Sequence, residues 1–270
     1  MKRKVKDIPK KTKLFKCEIN GVSYKIGDTN RLVQYTFDSI GEYISWIQSH
    51  NPVTTKRSSE NGSYHFTGTN SYSDALELLE KGWEEGAQKI DKRLKEKLQS
   101  SMEVTTRQRS VYDVVGGNAS VPRYLQGVPT NMIRQVRTPV KQPVTNVYFN
   151  YVFPQFFTQD QIIDECIKTL QKVVALENAG TRVNLYAIKI AGTDNGTVEM
   201  VSVCLKKSTE RLNVLKLAFP VAHPSMLRRI SFAFDERNPD LPKTWCTDDH
   251  YGKALVGEDN INVFFKNIQD

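Results

Sequence analysis

The chain has 270 residues, 39% of them apolar and 25% charged, with 38 Lys and Arg against 30 Asp and Glu for a net charge of +8. This is globular composition, long enough for two ordinary domains, and no window nears the roughly eighteen uncharged apolar residues that a membrane span needs. The basic N-terminus lacks the apolar run of a secretory signal, so the expectation is a cytosolic protein with no membrane partner.

The positive charge is concentrated. Lys2, Arg3, Lys4, Lys6, Lys10, Lys11, Lys13 and Lys16 against Asp7 leave +7 in residues 1–16, and the other 254 residues sum to about +1. The expectation is a basic disordered tail over 1–16, either a solvated leader or a segment that touches phosphates without sequence choice. Cys17, Cys166, Cys204 and Cys246 stand far apart, with no metal or redox spacing. Cys166 and Cys204 fall in apolar patterns and read as small hydrophobes.

Lys13 to Ile19 and Val22 to Ile26 alternate apolar with polar around Asn20-Gly21, which predicts a β-hairpin. Ile40, Tyr43, Ile44 and Ile47 recur at helical spacing and predict an amphipathic helix over 38–48. The polar run 54–63 reads as a loop before a short strand over 64–67. From Ser73 to about Leu98 a helical stripe carries Leu76, Leu79, Trp83, Ala87, Ile90, Leu94 and Leu98, as core or as partner surface. Gly82 and Gly86 predict a break near Gly82 or a close helix approach there. Leu76, Leu79 and Trp83 are the candidate protein interface.

Residues 103–113 read as a polar strand, Gly116-Gly117-Asn118 as a turn, and Ser120 with Pro122 as the start of a short helix stopped by Gly127 and Pro129. Arg107, Arg109, Arg123, Arg134 and Arg137 recur here with Tyr112 and Tyr124 between them. Converging, they would track phosphates while the rings stack on bases; dispersed, they are surface arginines making local bonds, and Arg228-Arg229 are read in the same two ways. The prolines Pro139 to Pro143 place a boundary between an α+β N-terminal region, 17–140, and a second domain, 144–270.

The second half is patterned as a strand over 144–153, a helix opened by a Thr158/Gln161 capping box and ended at Gly180, a strand over 182–190, the turn Asp194-Asn195-Gly196 and a strand over 197–205. Helical stretches near 212–219 and 224–234 and a final strand over 261–265 complete it. The βαβ crossover implies a parallel pair and an α/β fold class.

This order of strand, long helix, strand and hairpin-related strand, over about 144–266, resembles the von Willebrand factor A domain. The resemblance implies a three-layer Rossmannoid with a mostly parallel sheet. Metal-binding members carry Asp-x-Ser-x-Ser after the first strand; here Asn150-Tyr151-Val152-Phe153-Pro154 stands there, so the resemblance implies loss of that metal. Trp83-Glu84-Glu85-Gly86, Tyr112 to Gly116, Tyr124 to Pro129, Asn178 to Val183 and Ala222 to Arg229 together resemble a family of uncharacterised bacteriophage and prophage proteins. That resemblance implies a setting in a bacterial host cytoplasm or a virion.

Cys246-Thr247-Asp248-Asp249-His250-Tyr251 is the one local cluster of varied chemistry, either a polar surface loop or a zinc or general-base site. His223, beside Pro224, reads as a capping or packing residue. No phosphate loop, dinucleotide fingerprint, Gly-x-Ser-x-Gly elbow or His-Glu-x-x-His helix is present. The expectation is a protein without cofactor or metal that is not an enzyme and binds a phage or host protein, with homo-oligomers compatible. The alternative is nucleic-acid binding through the tail and the arginine-rich middle, and a second is a hydrolase or nuclease built on Asp248, Asp249 and His250.

Overall fold

A computed structural model describes residues 1–7, 14–19, 22–27, 31–55, 57–98, 109–136, 142–153, 157–192, 197–242, 245–246, 251 and 253–254. The chain begins with β1 (Lys2–Asp7), the hairpin of β2 (Leu14–Ile19) and β3 (Val22–Gly27), and β4 (Arg31–Phe37). Ile19 pairs with Val22, the register that the Asn20-Gly21 signal predicts. The helix α1 (Ile40–Ser49) is capped by Ser39, whose hydroxyl accepts the Glu42 N–H, and buries Tyr43, Ile44, Trp46 and Ile47.

Two single turns follow, α2 (Ser58–Asn61) and α3 (Tyr64–Thr67). The segment 64–67, expected as a strand, is therefore helical, closed by Gly68 at φ +79°. The helical stripe divides into α4 (Tyr72–Lys81) and α5 (Glu84–Leu98) at Gly82, as expected. Gly82 sits at φ +96°, and a Cβ there would stand 2.9 Å from the Leu215 side chain, so both expected roles hold at once. Gly82→Ala is expected to cost about 2 kcal/mol, from left-handed strain plus the clash, read as a shift of the urea midpoint at constant m. An unchanged midpoint would mean that the α4–α5 corner yields freely.

The middle of the chain forms β5 (Arg109–Asp113), β6 (Asn118–Ala119), α6 (Val121–Leu125) and β7 (Met132–Val136). After β8 (Val144–Asn150), the Thr158/Gln161 capping box opens α7 (Gln159–Asn178), and Gly180 at φ +87° follows its end. Then come β9 (Arg182–Gly192), β10 (Thr197–Lys206), α8 (Val214–Ala222), a π-helical turn at Met226–Ser231, α9 (Phe232–Arg237) and β11 (Lys253–Ala254). The expected strand over 261–265 lies outside the described residues. No helix among the described residues is long and apolar enough to cross a membrane.

The main sheet has six strands, ordered β1-β4-β10-β9, with β8 and β11 both on β9. β8 runs parallel to β9 and β4 parallel to β10, whereas β1–β4, β9–β10 and β9–β11 are antiparallel. The fold is thus α/β with a mixed sheet, and the expected mostly parallel sheet is corrected. The odd-numbered face of the strands, with Val33, Tyr35, Phe37, Val147, Phe149, Leu185, Ala187, Val201 and Val203, joins the helices in one core. Phe234 is central to it, with ring centroids 4.5 Å from Trp46 and 5.2 Å from Tyr35. Each such ring, fully buried, contributes about 1.5–3 kcal/mol.

Two further expectations are corrected. Residues 2–7 are no disordered tail: they form an edge strand on β4, tied down by Arg3 on Asp240 and the N-terminal ammonium on Glu42. Nor do the prolines at 139–143 separate two folds, because β4 from the first half sits beside β10 from the second, and α1, α4 and α5 share the common core.

Candidate binding surface

Residues 109–136 stand out against this core. β7 lies between β5 and β6 in a small antiparallel sheet that pairs with no strand of the main one. The Gly116-Gly117-Asn118 turn requires glycine at its first position, since a Cβ on Gly116 would lie 2.4 Å from the Ile133 carbonyl oxygen. α6 follows with Pro122 in its first turn, as expected, and Gly127 at φ +69° follows its end. Its cap is looser than the sequence implies, because the Ser120 side chain makes no capping bond.

No side chain described between residues 110 and 134 is buried. Tyr112, Val114, Val115, Val121, Tyr124 and Leu125 are instead between 54% and 78% exposed. So small a sheet, with none of its described side chains buried, is marginal on its own, and a concentration of large apolar side chains on a surface marks an interaction site. The Arg123 guanidinium lies 4.1 Å above the Tyr112 ring, and Arg134 pairs with Asp113 at 3.2 Å. Arg109, Arg123 and Arg134 against Asp113 leave this segment at +2. Three of the five arginines singled out from sequence therefore belong to one small sheet, Arg109 by its backbone. Arg107 and Arg137 lie outside the described residues.

The other candidates fall elsewhere. Lys2, Arg3, Lys4 and Lys6 belong to β1 at the edge of the main sheet, and Lys10 and Lys11 lie outside the described residues. Trp83 is 6% exposed and meets His223 edge to face, and Leu76 and Leu79 pack against the core, so the expected interface along this stripe is interior. His223 is buried between Trp83 and Phe219; burial pushes its pKa down to about 4, and its Nδ1 accepts the Ser225 N–H at 3.1 Å. It is a neutral packing residue. Cys246 is half-buried, and burial pushes its thiol well up, away from the thiolate a nucleophile needs. Asp248, Asp249 and His250 lie outside the described residues, while Tyr251 donates to Glu236 Oε1 at 2.7 Å and accepts the Ser58 N–H at 3.0 Å.

At the stretch compared with the A-domain metal motif, Asn150 is 8% exposed and its side-chain oxygen accepts the Val152 N–H at 3.0 Å. No group of three or more His, Cys, Asp or Glu among the described residues is placed to hold a metal.

Sequence reasoning missed the ionisable interior. Arg229 is fully buried and Arg228 nearly so, both presented by the π-helical turn, and neither is a surface arginine. Lys189, Glu199 and Asp235 are also buried, with the Lys189 ammonium 2.7 Å from Glu199 and 2.5 Å from Asp235. The signal was present in the charged residues set inside apolar runs, Ala187-Ile188-Lys189-Ile190-Ala191 and Val198-Glu199-Met200-Val201. These groups are enclosed and serve the framework.

A family model described as a domain of unknown function, DUF7192, matches residues 12–270. The match starts after β1 and spans the β2–β3 hairpin, the small sheet and the other strands of the main sheet. No curated protein and no solved structure matches the chain. The chain belongs to the DUF7192 family.

Proposed function

We propose that this protein works by binding another protein, and that the small sheet over 109–136 is the docking surface. The observation that carries the reading is the exposure of Tyr112, Val114, Val115, Val121, Tyr124 and Leu125 on a segment none of whose described side chains, 110–134, is buried. Tyrosine and arginine are the residue types that anchor interfaces, and the +2 charge of the segment favours a partner segment with acidic residues among apolar ones. In the setting implied by the bacteriophage resemblance, that partner is a phage or host protein. The A-domain likeness is retained as a proposal for β8, α7, β9 and β10, a core that the sheet extends through β4 and β1.

Nucleic-acid binding is the weaker reading. Arg134 is already paired with Asp113, Arg123 covers one face of Tyr112, and the lysines of β1 lie in a different sheet. The test is to pan a surface-displayed random heptapeptide library against the wild type and against a Tyr112→Ser/Tyr124→Ser/Leu125→Ser variant, all at exposed positions. The expected result is recovery of peptides mixing acidic and apolar residues, with at least tenfold weaker binding to the variant. Equal binding to both proteins would overturn the reading, as would binding only to an oligo-dT probe with a steep salt dependence.

A further inference from the structure

The register of the small sheet says how a partner would attach. Ile133 accepts the Gly117 N–H at 3.1 Å and Asn131 accepts the Ser120 N–H at 2.7 Å, so these β7 carbonyls turn toward β6 and away from β5. Main-chain groups alternate sides along a strand, so Gln135 turns the same way as Ile133. Tyr112 is opposite Ile133, and Ser110 is opposite Gln135. The β5–β7 bonds must then run through the intervening pairs, and Ser110 and Tyr112 direct their own N–H and C=O groups outward, away from β7.

β5 is an edge of its sheet and pairs with no other strand among the described residues. Natural edge strands are protected by lysine, proline or a bulge, and β5 has none of these within Arg109–Asp113, where charge stands only at the two ends. Side-chain recognition is available on a face of the same strand. Tyr112 is 54% exposed with the Arg123 guanidinium 4.1 Å above its ring, which puts an apolar surface and a cation on the strand that forms the edge among the described residues.

We infer that β5 takes an extended segment of the partner protein as an added β-strand, with main-chain bonds at Ser110 and Tyr112 and an acidic side chain of that segment on Arg123. The inference rests on the proposed function and adds the mode of recognition. Main-chain pairing supplies affinity in such complexes, and alternate side chains supply choice. A second copy of this chain and a nucleic acid are the competing occupants.

The test uses the full chain and the same heptapeptide library. Ser110→Pro removes one outward N–H at an exposed edge position and leaves the β5–β7 bonds in place, while Ser110→Ala keeps that N–H. Peptides recovered on the wild type are expected to bind Ser110→Ala unchanged and Ser110→Pro at least tenfold more weakly, with the circular dichroism of both variants unaltered. Backbone N-methylation of a recovered peptide gives a readout independent of how the variant folds. Methylating one set of alternate residues abolishes binding, and methylating the other set leaves it intact. Wild-type affinity for Ser110→Pro, or equal effects from the two methylated sets, would overturn strand addition, even where the Tyr112/Tyr124/Leu125 variant loses binding and the docking surface itself stands. If that variant also binds like the wild type, or if only self-association or oligo-dT binding is seen, the proposed function fails and strand addition with it.

Discussion

Arg229→Lys is expected to lower the stability of this protein by about 3–5 kcal/mol, much of the 5–15 kcal/mol that a domain usually has. The guanidinium donates to Thr69 Oγ1 at 2.7 Å and to the carbonyls of Ser59, Glu60, Gly62 and Thr69 at 2.8–3.1 Å. Five donors in a planar fork match five neutral oxygens, and a lysine ammonium with three donors cannot reach them all. Each buried acceptor left unpaired costs about 1–3 kcal/mol, which is why the conservative replacement is costly. The same bonds explain why 57–69 folds as two single turns against the π-helical turn: the carbonyls are recruited by one side chain. Urea unfolding measures the loss, and limited proteolysis within 57–69 should quicken in parallel. A loss below about 1 kcal/mol would mean that this loop is held by something other than Arg229.

The second large effect belongs to the buried charges. Lys189 lies between Glu199 and Asp235, and the Trp245 indole N–H reaches Asp235 at 3.2 Å. Burial opposes the Lys189 ammonium, but the two carboxylates outweigh it and raise its pKa. Two carboxylates face one cation, so a negative charge is left over. Burial first, and then the neighbouring Glu199, pushes the Asp235 carboxyl well above the usual carboxylate range. Tyr43 and Tyr151, which meet Ser231 beside this cluster, are raised as well, by burial first.

Lys189→Met leaves both carboxylates without a cation and is expected to cost about 3–5 kcal/mol at neutral pH. Glu199→Gln removes the surplus charge and is expected to stabilise by about 1–2 kcal/mol. The pH dependence follows from the direction of the Asp235 shift. With a folded pKa above the unfolded value of about 3.9, Asp235 contributes most below that value, and its contribution falls away as pH rises through the folded pKa. Wild-type stability should therefore decline relative to Glu199→Gln as pH rises above about 4, and the gap should close in acid. Thermal unfolding of both proteins across that range checks it. A gap that stays constant with pH would remove the raised Asp235 pKa as its cause.

Much of the fold could be read locally. The Asn20-Gly21 hairpin, the α1 stripe, the Gly82 break, the Thr158/Gln161 box and the strands β8 to β10 are each set by neighbours within a few residues. Capping bonds, turn dihedrals and hydrophobic period act over that range. The aromatic and arginine run around Tyr112 and Tyr124 was also visible as composition. Exposure was the missing half: Trp83 and Tyr112 look alike in a sequence, and only packing puts one in the core and the other on the surface.

The sequence by itself determined α1, the α4–α5 pair, α7 and β8 to β10, the α/β class and the residue types available for binding. The tertiary structure alone decided that a basic leader becomes a sheet edge, that β4 crosses the expected boundary to pair with β10, and that Arg229 and Lys189 lie inside. The physical reason is range. A helix cap depends on residues three or four apart, whereas a strand edge or a buried charge is stable only once partners far along the chain arrive to satisfy it, as Asp240 does for Arg3 and Asp235 for Lys189.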